Sequence, residues 1–199
     1  METCRACSLP VDLRPPLAAT PPNVFGHLLD PQLAEVLHRA NGGFVGFVGM
    51  DGVGGDTDIS TFNEDMRAGT DDPPRSFVVY AQISGEANYL ATLPDLAESD
   101  GVQPVGLLNL HEGSKLFPLA SSVDAAFGTL ARRLGQVAGR FATPDQAAGA
   151  LKVPWGAAEP AARDRRLVER ITAGDFDAFR RDQPDVAEWI EMTLAATRA

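Results

Sequence analysis

The chain has 199 residues, 44% hydrophobic and 22% charged, which is ordinary globular usage and enough for a proper core. Its net charge of −10 disfavours direct binding to nucleic acid or an anionic membrane, because phosphate contacts need a basic face, and favours a basic partner. No apolar run approaches the roughly 20 residues of a membrane span. Met1-Glu2-Thr3-Cys4 has neither the basic nor the apolar part of a signal peptide, so a cytoplasmic protein is expected.

Residues 1–24 carry Pro15-Pro16 and Pro21-Pro22 and read as a proline-rich, extended surface arm. The arm holds both cysteines, Cys4 and Cys7. One Cys-x-x-Cys is half of a structural zinc site, a redox pair, or two thiols in a tail. Asp30-Pro31 then opens a helix whose apolar positions Leu33, Val36, Leu37 and Ala40 share one face. Asn41-Gly42-Gly43 stops it, and Phe44 to Val48 is a short strand.

Residues 49–58 form a glycine-rich acidic loop, and Asp58 to Met66 a short helix. Gly69 to Arg75 is a second acidic loop. Phe77 to Ile83, the turn Ser84-Gly85-Glu86 and Ala87 to Leu93 read as a hairpin. Pro104 to Leu110 is a third strand and Lys115 to Phe117 a short fourth. Ser121 or Ser122 caps a long amphipathic helix running to Phe141. Beyond it, Asp145 to Leu151 is a small helix, residues 153–156 are a link, and three helices occupy 163–172, 175–181 and 184–197. The expected class is α+β: an antiparallel sheet with flanking helices, plus a C-terminal helical extension. The divisions are an arm over 1–24, an α+β domain over 25–141 and a helical extension over 142–199.

Motifs for chemistry are sparse. There is no Gly-x-Ser-x-Gly elbow, no His-Glu-x-x-His and no phosphate-binding loop ending in Gly-Lys-Ser/Thr. Asp51, Asp56 and Asp58 are oxygen ligands of the kind hard cations take, or solvated turn residues. Charge is uneven. Residues 50–105 hold 11 acidic and 2 basic residues, while the flanking stretches nearly cancel. Carboxylates gathered on loops make a negative surface suited to a basic protein, with Asp51, Asp56, Asp58, Glu64, Asp71, Asp72 and Glu86 as the expected partner-binding residues. Phe62 and Tyr89 are either anchors for that partner or core.

The order of these signals resembles the SUKH superfamily, which includes the Smi/Knr-type regulators of yeast and many bacterial immunity proteins. The resemblance is carried by Leu33 to Gly43 with its Asn-Gly-Gly ending, Asp58 to Met66, and Phe77 to Leu93. Pro104 to Leu110 and Ala120-Ser121-Ser122 to Phe127 complete it, so it spans roughly residues 28–135. Ala40 replaces the aromatic residue that often precedes Asn-Gly-Gly, and the arm and tail lie outside the usual core. The resemblance implies a non-enzymatic module without catalytic residue, cofactor or metal. Bacterial members neutralise polymorphic toxins, often basic nucleases, by direct binding, through surfaces that vary from member to member. Two other functions stay open on the residues alone. One is a regulatory scaffold whose helical tail mediates oligomerisation or docking. The other is a metal-dependent enzyme built on the Asp51, Asp56 and Asp58 loop.

Overall fold

The computed structural model of the chain describes residues 9–17, 23–24, 26–54, 58–68, 76–85, 87–110, 114–137 and 141–198. Its strands are β1 (Val11–Leu13), β2 (Gly43–Val45), β3 (Val48–Met50), β4 (Val78–Ile83), β5 (Asn88–Thr92), β6 (Val105–Asn109) and β7 (Lys115–Ala120). They form one antiparallel sheet in which every strand pairs with its sequence neighbour. The helices are α1 (Pro31–Arg39), α2 (Ile59–Ala68), α3 (Val123–Val137), α4 (Pro144–Leu151), α5 (Ala158–Ala162), α6 (Arg165–Ala173), α7 (Asp177–Arg180) and α8 (Pro184–Ala196). This is the expected α+β class, with helices flanking an antiparallel sheet and a helical C-terminal stretch. No helix among the described residues is long and apolar enough to cross a membrane.

Local chemistry sets the boundaries. The Asp30 carboxylate caps α1, accepting from the main-chain N–H groups of Gln32 and Leu33 at 2.8 and 2.9 Å. Its second oxygen accepts from the N–H of Gln103 at 2.7 Å, which ties the helix start to the approach of β6. Burial pushes this carboxyl above its ordinary range, against the pull of those three hydrogen bonds. After α1, Gly42 has φ of 79°, the left-handed geometry the Asn-Gly-Gly signal predicts. Phe44 to Val48, expected as one strand, is a hairpin instead. Gly46, with φ of 68°, takes the first place of a two-residue turn between β2 and β3, where the backbone favours glycine. Further differences are the strand β1 inside the stretch expected as a surface arm, a longer β7 and the short helix α5.

Register sorts the side chains. Asp12, Phe44, Gly49, Gln82, Tyr89, Leu108 and Leu116 stand opposite one another in turn, one row on one face. The next row, Leu13, Gly43, Met50, Ala81, Leu90, Leu107 and Phe117, lies on the other face. The second face is the main core. The Tyr80 ring meets Phe127 of α3, and Phe117 meets Trp155 and Trp189. The first face is covered only in part. α2 lies over its middle, where Phe62 touches Tyr89 with ring centroids 5.6 Å apart, and Gln82 beside them is exposed. Phe62 and Tyr89 are therefore half-buried partners of each other.

Candidate functional site

The partly open face holds a groove of about 360 Å³ lined by Asp12, Arg14, Phe44, Gly49, Asp51 and Gln82. Its floor is sheet. The Phe44 ring packs over Gly49, with a ring carbon 3.5 Å from where a Cβ would stand, an ordinary van der Waals contact. Its wall is the segment that follows β3. Asn41 clamps that segment with both ends of its amide. Its Nδ2 donates to the Val53 carbonyl at 2.9 Å, and its Oδ1 accepts from the Val53 N–H at 2.7 Å. A Cβ on Gly52 would come within 2.5 Å of the Asn41 carbonyl oxygen, so the clamp closes only on glycine.

Two predicted carboxylates face different tasks here. Asp51 leaves the strand after its N–H donates to the Tyr80 carbonyl at 2.9 Å. Burial pushes its carboxyl up to about 6; the Arg14 guanidinium opposes the shift and Asp58 adds to it. Asp58 caps α2, accepting from the N–H groups of Ser60 at 2.8 Å, Thr61 at 3.2 Å and Gly54 at 2.5 Å. Partial burial pushes that carboxyl up, but these hydrogen bonds outweigh it and hold it below the ordinary range. Glu64 is exposed on α2. Asp51 and Asp58 lie close enough to repel each other. Asp56, Asp71, Asp72 and Glu86 lie outside the described residues, as do Cys4 and Cys7. The turn that precedes Glu86 is at the far end of β4, where Ser84 Oγ donates to Asp145. Among the described residues, no three His, Cys, Asp or Glu side chains gather to hold a metal ion.

The groove is shallow and gathers one half-buried and one exposed carboxylate, one guanidinium, an amide and an aromatic ring. A groove of this kind suits a cationic side chain laid over Phe44 between Asp12 and Asp51. The larger depression of about 640 Å³, between Glu159, Arg163, Arg165 and Glu169, is different. There Arg163 and Glu159 already pair with each other at 2.7 Å.

Comparison with family models, with curated proteins and with solved structures finds no match to this chain.

Sequence reasoning missed Asp12, Arg14, Phe44 and Gln82 as groove residues. Asp12 and Arg14 belong to the arm read as a surface extension. The signal that points to them is the alternation Val11-Asp12-Leu13-Arg14, the two-residue period of a half-covered strand. Gln82 was visible as the one polar residue in Val78 to Ile83, and its exposure follows from that face being open.

Proposed function

We propose that the protein is a non-catalytic binding module of the immunity type, related to the SUKH superfamily and acting in the cytoplasm. It would neutralise a basic toxin domain by direct contact. The observation that supports this reading best is the acidic groove on the open sheet face, set in the part of the chain where 11 acidic residues stand against 2 basic ones. Charges at such a surface raise the encounter rate and fix orientation, while affinity rests on a few anchors such as Phe44.

The test is kinetic. The protein that co-purifies with the chain from its native host is isolated, and its association rate is followed by stopped flow at rising salt. The rate should fall roughly tenfold or more from low to high ionic strength, because long-range attraction is screened. Asp12→Asn with Asp51→Asn should flatten that dependence. A rate indifferent to salt, or a partner of acidic net charge, would overturn the proposal.

A further inference from the structure

Three sheet edges need protection in this fold, and two of them receive it. β3 ends at Met50, so among the described residues the first half of β4 has no strand neighbour on that side. There the Asn63 side chain takes the place of a strand, accepting from the Val79 N–H at 2.8 Å and donating to the Val79 carbonyl at 2.7 Å. One helical turn on, Arg67 donates to the Phe77 carbonyl at 2.9 Å. The β7 edge carries Pro118, and α6, α7 and α8 pack against that strand.

Among the described residues, the third edge, β1, has no neighbour beyond it. Pro10 and Arg14 bond inward, through Gly46 N–H to the Pro10 carbonyl at 2.7 Å and Arg14 N–H to the Gly42 carbonyl at 3.1 Å. The alternation of an antiparallel ladder then turns the N–H and C=O groups of Val11 and Leu13 outward, where no described residue pairs with them. Leu13 is 39% exposed, although its row continues through Met50, Ala81, Leu90 and Leu107 into the core. It is the last member of an apolar row that stops because the sheet stops.

We infer that the occupant of this edge is a second copy of the chain, whose β1 pairs antiparallel with β1 about a two-fold axis through Leu13. Charge chooses both the occupant and the register. Centred on Leu13, the pairing sets Asp12 of each copy directly opposite Arg14 of the other, in the position where facing side chains come closest. Two opposite-charge pairs form at once, and the two Leu13 side chains close the apolar row. Centred on Asp12, the same strands would oppose two like carboxylates. Centred on Val11, they would set Asp12 against Pro10, with no charge matched. Pro15 and Pro16 end the ladder on either side, so the contact is short and the dimer weak. Asp12 and Arg14 also line the acidic groove, so the grooves of the two copies would meet at the axis.

Sedimentation velocity on the full chain, across micromolar to millimolar concentration, tests this. The wild type should show a monomer–dimer equilibrium. Asp12→Arg sets Arg against Arg, and Arg14→Asp sets Asp against Asp. Each should weaken dimerisation roughly tenfold or more. Asp12→Arg with Arg14→Asp in one chain should restore it, and an equimolar mixture of the two single variants should form heterodimers. Far-UV circular dichroism establishes that each variant is folded, and since both residues are exposed the singles should fold as wild type does. A chain monomeric throughout would overturn the inference, as would a dimer indifferent to both single reversals. So would a double variant as weak as the singles. The proposed function is read separately, by the salt dependence of partner association with Asp51→Asn alone, which leaves the β1 contact unchanged.

Discussion

The position of Asp51 carries an electrostatic cost. Its carboxyl is half-buried beside Arg14 and sits near 6, well above its ordinary value of 3.8. A carboxyl raised on folding binds its proton more tightly in the native state. Stability therefore falls as pH rises from about 4 to about 6, and stays reduced above that. Asp51→Asn removes the cost. It should stabilise the protein by about 1 kcal/mol at pH 7.5, after allowance for solvent screening, and by nothing at pH 3.5. Urea midpoints at the two pH values check this. A destabilised variant at pH 7.5 would mean that the Arg14 attraction outweighs burial. A residue kept ionised at such a cost is a candidate for function, and on the proposed reading the same titration lowers affinity for a basic partner as pH falls through 6. Asp58 behaves in the opposite way because three N–H groups point at it.

At the scale of elements, α2 does two jobs through Asn63. The residue is fully buried, and its amide satisfies both main-chain groups of Val79 as well as the Ile59 carbonyl. Asn63→Leu keeps the branched shape in a bulkier side chain and removes all of these bonds, leaving a buried N–H and C=O unpaired. It should cost about 3 kcal/mol, read as a lowered denaturant midpoint at unchanged slope. Asn63→Asp, which keeps one acceptor but adds a buried charge, should be no better. A Leu variant within experimental error of wild type would mean that water or a shifted strand takes over the edge. The role of Asn63 was not legible in the sequence, because an asparagine inside a helical pattern gives no sign that it faces a strand edge. Elements whose signals are local were legible: Asp30-Pro31 opens α1, Asn-Gly-Gly closes it, and the β4–β5 hairpin follows its turn residues. β1 was hidden because three residues among prolines form a strand only when a neighbour pairs with them. The β2–β3 turn was hidden because Gly46 stands inside an apolar run whose composition suits one strand. Of the candidate site, the acidic loop was visible and the strand that completes the groove was not, since register across a sheet is a long-range fact.

In the whole molecule the C-terminal helices pack against the sheet, the place their apolar faces suggest in the sequence. They form a layer of the core. Trp189 is fully buried, its Nε1 donates to the Pro154 carbonyl at 3.0 Å, and its ring meets Phe117 of β7. Asp164 caps α6 by accepting from the Leu167 N–H at 3.1 Å, and it also accepts from the N–H and the hydroxyl of Ser121 at 2.7 and 2.9 Å, just before α3. Glu98 pairs with Arg166 and Arg170, so the loop after β5 is held to the same layer. Removing everything after Phe141 would strip one side of β7 and expose Phe117, a loss far beyond the net stability of a typical domain. The truncated chain should lack a cooperative unfolding transition, and Trp189→Ala in the full chain should fold with a stability lowered by about 3–5 kcal/mol. A sharp, reversible melt from residues 1–141 alone would show instead that the helices are a separable unit. If truncation unfolds the domain, loss of partner binding in that variant says nothing about contact. The tail's part in binding is then tested at Met192, 41% exposed, where Met192→Ser leaves the core untouched.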